Sequence, residues 1–179
     1  RKMEIWSLRS ASTLSTISPE MLIKLEEKVS RNDRRLTFIP NWIHQSLSDE
    51  IDRQWIQRPK RKAHQLLYSG NVGVKQGLPD FVDTFEALES GWQLRIQGGG
   101  ADRARLEERT RDCRDIVMAD VSGEDAYVTS LLNASACLIT QKPDVSANFL
   151  PSKLLPALAT GTPVLAICEA DTPLGREVS

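Results

Sequence analysis

Two lysines stand where a chain of this pattern can hold an anion. Lys75 lies in "SGNVGVKQG", with Gly70, Gly73 and Gly77 falling inside one short stretch. Glycines at that density allow positive φ and close backbone approach to a ligand. A loop between a strand and a helix also aims amide hydrogens at whatever sits there. The same string reads equally as a glycine-rich turn with a solvated lysine. It is not an ATP-binding P-loop, because Val74 separates Gly73 from Lys75 and Gln76 follows.

Lys153 lies in "NFLPSKLLPALATGTPVLAI". Pro151 suits the first position of a helix, which puts Ser152 and Lys153 on its first turn and Gly161 at its C-cap. A helix start disfavours a cation by about 0.3–1 kcal/mol. A lysine there makes sense if an anion lies between it and the amide hydrogens, with the serine hydroxyl as one more donor. Otherwise the side chain snorkels to solvent. Pro156 either kinks this helix or marks a later start. Two such loops on one sheet edge would clamp a diphosphate. Neither supplies an obvious nucleophile, acid/base pair or metal ligand, which suits a transfer in which the protein stabilises a charged leaving group.

A third loop holds "GGGADR", residues 98–103. Gly98 and Gly100 match the start of a dinucleotide fingerprint, but Arg103 takes the third glycine's place. A tight strand-to-helix turn is the plainer account, and a dehydrogenase is disfavoured.

These loops need a scaffold. "HQLLYSG", "WQLRIQ", "DIVMAD", "ACLIT" and "PVLAI" read as short strands, most of them apolar throughout. Between them lie helical patterns: Leu78, Phe81, Val82, Phe85 and Leu88, then "ADRARLEERTRD", then "GEDAYVTSLLNAS". Apolar strands alternating with helices predict an α/β fold, a doubly wound parallel sheet of Rossmann type. Ligands in such folds sit beyond the carboxyl ends of the strands, where loops 70–77, 98–100 and 141–152 fall. Before this region, "STLSTIS" and "LTFIP" read as strands. Ser18-Pro19 opens a helix bearing Met21, Leu22, Leu25 and Val29. Residues 41–62 read as a linker with about one helical turn. The chain therefore divides into 1–58, the tail of an N-terminal domain plus a linker, and 59–179, most of a second domain that is incomplete at its C-terminus, so that the chain as a whole is expected to be truncated at both ends.

Composition bounds the function. Of 179 residues, 40% are apolar and 26% charged, and the net charge is −1. That is a globular composition without the field a nucleic-acid binder needs. No apolar run reaches the ~18 residues of a membrane span, and "RKMEIWSLRS" does not read as a signal peptide. Cys113, Cys137 and Cys168 are odd in number and widely spaced, so free thiols are expected. His44 and His64 alone predict no metal site.

"STISPEM", "FIPNW", "LLYSGNVGVKQGL", "IQGGGADRARLE" and "FLPSKLLPALATGTPVLAI" follow one another as in retaining GT-B glycosyltransferases of family 4. The chain resembles the type that builds colanic acid and exopolysaccharides, mainly its C-terminal nucleotide-sugar domain. The resemblance implies transfer of a sugar, with retention, from a nucleoside-diphosphate sugar to a hydroxyl in cell-surface polysaccharide biosynthesis. It implies no tightly bound cofactor, no metal and no nucleic-acid partner. In the whole protein it implies a lipid-linked oligosaccharide acceptor and a cytoplasmic location with peripheral contact at the inner membrane. By the same resemblance, Lys75 and Asn71 act catalytically on the donor diphosphate. Gly70, Gly73, Gln76, Gly99, Met118, Asn148, Leu150, Ser152 and Lys153 line the donor, Met118 near the base and Asn148 near the sugar. Two glutamates common in the family are Asn148 and Pro156 here, and an arginine of the first loop is Asn71. A noncatalytic nucleotide-sugar-binding domain and a sugar-nucleotide epimerase share this architecture. Trp6, Trp42 and Trp55 are expected to form an exposed patch or a dimer contact.

Overall fold

Alternation of side chains along each strand builds two cores, one on either face of a sheet. A computed structural model describes the chain except residues 1, 31–32, 59, 88–90, 121–122 and 144–149. Its main sheet has five parallel strands: β3 (Gln65–Ser69), β4 (Gln93–Gln97), β5 (Ile116–Ala119), β6 (Ala136–Thr140) and β7 (Val164–Ile167), in the order β5-β4-β3-β6-β7. Leu66, Tyr68, Leu94, Ile96 and Leu138 point to one face, beneath Leu78, Val82 and Phe85 of α4 (Leu78–Ala87) and Leu106 of α5 (Arg103–Arg109). Leu67, Cys137 and Ile139 point to the other. There they meet Leu131 of α6 (Gly123–Asn133), Leu154 and Ala157 of α7 (Leu154–Ala159), and Leu174 of α8 (Pro173–Val178). The expected doubly wound parallel sheet is present. Its order reverses direction at β3, so a crevice opens between the carboxyl ends of β3 and β6.

A second, two-stranded parallel sheet pairs β1 (Leu14–Thr16) with β2 (Leu36–Phe38). Helix α2 (Pro19–Lys28) joins them; Ser18 caps it by accepting the Met21 N–H at 3.1 Å, as its Ser-Pro start predicts.

Three readings need correction. Residues 2–10, to which the sequence assigned no element, form α1 (Lys2–Ser10), a helix without a buried residue. The 41–62 segment is not mainly linker: it contains α3 (Gln45–Trp55), which lays Ile51 and Leu47 on Val128 and Leu132 of α6. Two apolar residues one turn apart are too faint a period to read without the surface that receives them. The helix expected from Pro151 starts at Leu154, and Lys153 is its N-cap. Pro156 has no N–H to give the Ser152 carbonyl, so it fits only within the first turn, where that hydrogen would be unbonded anyway. Pro156 marks a late start and does not kink the helix.

Candidate functional site at the sheet crevice

The loops after β3 and β4 are bonded backbone to backbone. The Gly70 N–H donates to Gln97 O at 2.9 Å, Val72 N–H to Gly99 O at 2.7 Å, and Asp102 N–H to Val72 O at 3.0 Å. Gly98 and Gly100 have φ of +134° and +149°, and a Cβ on either would lie 2.0 Å from Gly70 O or 2.2 Å from Val72 O. These two glycines allow the loops to touch. Gly99, exposed between them, leaves open space where a Cβ would go. Tyr68, fully buried at the end of β3, donates its hydroxyl to Asn71 O at 2.6 Å and sets the path of the loop.

Past Gly73 the chain makes a single 3-10 turn, Val74–Gln76, ended by Gly77 at φ +63°. Lys75 and Asn71 are exposed, and Lys75 O accepts the Lys142 N–H at 3.1 Å. A Cβ on Gly73 would meet the Asn71 amide at 2.8 Å and the Gln76 amide at 3.1 Å, so both side chains converge on that glycine.

Lys153 enters from the segment after β6. Its Nζ lies 3.9 Å from the centroid of the Tyr68 ring. A Cβ placed on Gly70 would be 3.1 Å from that nitrogen. The ammonium is buried and donates to no acceptor among the described residues. Burial pushes its pKa down to about 8, against a smaller opposing effect of the Cys137 sulfur. Burial likewise lifts the Cys137 thiol to about 11, with Lys153 opposing. Lys153 thus does not snorkel; it is held under the loop of β3, where the sheet order reverses.

Other polar atoms along this edge are also buried and unpaired: Gln76 Oε1, Gln97 Oε1, Thr140 Oγ1 and Gln141 Oε1. Thr16 Oγ1 and Glu20 Oε2, at the end of β1 and the start of α2, share that condition. Buried polar groups are nearly always bonded, so a concentration of exceptions marks a place built for an absent partner. An apolar hollow of 770 Å³ descends from Gln76, Thr140 and Gln141 between α4 and β7, walled by Phe81, Phe85, Leu165 and Ile167. The charged residues at its rim, Lys142 and Asp80, pair with each other at 3.6 Å.

The remaining expected residues vary in placement. Ser152 is exposed beside Lys153. Leu150 packs on the core around Leu67, and Met118, half-buried, on the core around Leu94. Asn148 lies outside the described residues. Tyr68 and Gln97 were missed, since strand-end residues carry no pattern of their own. Arg103, read as the break in a fingerprint, braces two strand ends. It donates to Gly98 O and to Ala119 O, the latter at 3.3 Å, and pairs with Asp120 at 2.8 Å. Its i,i+4 partner Glu107 was the available signal.

No family model matches the chain. Over 94% of its length it is 32% identical to WcaI of Escherichia coli (strain K12), described as a colanic acid biosynthesis glycosyl transferase, and it spans 44% of that relative. Among solved structures it is similar to a sucrose-phosphate synthase of Thermosynechococcus elongatus, with TM-score 0.71, 19% identity, and coverage of 95% of this chain and 44% of that one. It is also similar to HepE of Anabaena in complex with UDP and glucose, with TM-score 0.67, 13% identity, and coverage of 97% and 48%. The fold is the Rossmann-like fold of GT-B glycosyltransferases.

Proposed function

We propose that the protein is a glycosyltransferase whose crevice between β3 and β6 holds a nucleoside-diphosphate sugar. The observation that carries this reading is the Lys153 ammonium, buried against Tyr68 and Gly70 without an acceptor among the described residues. A cation in that position costs free energy unless an anion arrives to pair with it. The diphosphate of a sugar nucleotide is such an anion, and it becomes more negative as the sugar departs. Lys153 and Lys75 would neutralise that charge. Asn71, Gly70, Gly73, Gln76 and Ser152 would bond the phosphates and ribose, with Gly99 and the main chain of Met118 toward the base and Leu150 and Asn148 toward the sugar.

The 32% identity to a colanic acid glycosyl transferase supports a role in polysaccharide assembly. Within this reading the enzyme belongs to family 4, transfers with retention, and takes a lipid-linked oligosaccharide as acceptor. Residues 59–179 form the donor domain, and residues 1–58 end the acceptor domain and connect the two.

Calorimetric titration with UDP, GDP and ADP tests the donor site. One nucleotide is expected to bind with micromolar to millimolar affinity, and Lys153→Met to weaken it by about tenfold or more. Absence of binding by all three at millimolar concentration, or unchanged affinity in the variant, overturns the reading.

A further inference from the structure

Two walls of the crevice meet at one buried side chain. Tyr68, next to last in β3, lies in register with Ile96 of β4 and packs in the core that also holds Val72 and Leu78. Filling that core asks for a ring of this size, and a phenylalanine would do it as well. Two further features of the residue face the crevice, and packing explains neither. The first is the hydroxyl, which donates to Asn71 O at 2.6 Å. Burial holds the phenol's pKa far above its ordinary value, so the group stays a donor through neutral and mildly alkaline pH. The bond falls on main chain one residue before Val72, whose N–H and carbonyl are both bonded to the loop after β4. It thereby anchors the loop that carries Asn71, Gly73 and Lys75.

The second feature is the ring face. Lys153 Nζ lies 3.9 Å from its centroid, inside the range of a cation–π contact. The lysine arrives past Gly70, where an added Cβ would lie 3.1 Å from Nζ and 3.2 Å from Cε. Among the described residues no acceptor receives the amine, so the electron-rich ring is what the charge rests on. A ring face attracts a cation without consuming an N–H, and every donor of the ammonium stays available for an oxygen. A phosphate would bond the same amine more strongly, through charge-assisted hydrogen bonds.

We propose that Tyr68 is a positioning residue for both walls: its ring face parks the Lys153 ammonium until an anionic ligand takes it, and its hydroxyl holds the main chain of the loop that bears Asn71 and Lys75. The inference rests on the reading of the crevice as a diphosphate site, and it assigns Tyr68 no contact with the ligand. Cys137 of β6 is the other titratable group beside the amine among the described residues. Its thiol, lifted to about 11 by burial, is neutral where Lys153 titrates, so the ring is left to favour the charged amine.

Substitution separates the two parts, since Tyr68→Phe keeps the ring and Tyr68→Leu removes ring and hydroxyl together. The experiment is an NMR titration of the 179-residue chain labelled at the lysine ε-carbons, with Lys153→Met assigning the signal. A ring current moves nuclei above its face upfield. The Lys153 ε-methylene should therefore be shifted upfield in the parent and in Tyr68→Phe, and should lose that shift in Tyr68→Leu. Its titration midpoint should hold in Tyr68→Phe and fall by about half a pH unit or more in Tyr68→Leu. Leu66→Val, a change in the same core, should leave both readings at the parent values. Calorimetry with UDP, GDP and ADP reads the consequence. The nucleotide that the parent binds should bind Tyr68→Phe about threefold or more weakly with the same pH midpoint, and Tyr68→Leu about tenfold or more weakly with a lower one. An unshifted Lys153 signal in the parent, an unchanged midpoint in Tyr68→Leu, or parent-like affinity in Tyr68→Phe overturns the inference alone. If Tyr68→Leu does not fold, the parent's ring shift and the Tyr68→Phe affinity decide. If the parent binds none of the three nucleotides, the donor reading falls and takes the inference with it.

Discussion

At the scale of single residues, Lys153 ties stability to pH and, on the proposed function, nucleotide binding as well. Burial lowers its pKa from 10.5 to about 8. Between those values the unfolded chain holds more protons than the folded one, so stability rises with pH from about 8 to 10.5. Anion binding needs the protonated amine and runs the other way. Nucleotide affinity should fall as pH climbs through about 8, while Lys153→Met should be weak and flat across the same range. Calorimetry at several pH values between 7 and 10 reads both. Among the described residues the titratable groups beside the amine are Tyr68 and Cys137, whose own ionisations burial displaces upward, so neither supplies a compensating charge over most of that window. Lys153→Met also removes an unpaired buried cation. The ligand-free variant should therefore melt higher than the parent, as thermal denaturation will show.

At the scale of elements, the crevice depends on two loops in backbone contact. Gly98→Ala or Gly100→Ala would drive a Cβ into a carbonyl oxygen at a positive φ. Each should destabilise by about 3 kcal/mol or more, seen as a lower urea midpoint, and should separate the loop of β3 from that of β4. Gly99→Ala, with open space at its Cβ, should cost far less. Arg61 plays the comparable part at the other end of the strands. Five of its six donated bonds go to carbonyls at two helix ends that the helices cannot satisfy themselves, and the sixth goes to Thr162 Oγ1. Arg61→Met should lower stability by about 2–4 kcal/mol, measured in the same urea experiment.

At the scale of the whole molecule, the β1-α2-β2 unit and the five-stranded sheet share no strand. Helix α3 docks on α6 through Ile51, Val128 and Leu132. At a separate point Arg176 of α8 pairs with Glu20 of α2. Both partners of that pair are partly solvated, so it contributes about 1 kcal/mol or less. Arg176→Glu should lower the melting temperature slightly in dilute buffer and leave it unchanged in molar salt, where charges are screened. Glu20 Oε2 and Thr16 Oγ1, buried and unpaired in this first unit, make it the second place where a polar partner is missing.

Local pattern was enough to read the alternating strands and helices, the glycine loops of 70–77 and 98–100, the Ser-Pro start of α2 and the lysine of "PSK". Each rests on neighbours in sequence: side-chain period, turn chemistry, a missing proline N–H. The same locality explains the miss at α3, whose few apolar residues become legible only against the surface of α6 that they meet; α1, which buries no residue, has no such account. No local rule could say whether Lys153 reached solvent or an interior. That outcome required β3 and β6, distant in sequence, to become sheet neighbours, so that the Tyr68 ring and the Gly70 loop closed over the amine. Long-range strand pairing buried the charge that has no partner among the described residues, and the proposed anion site rests on it.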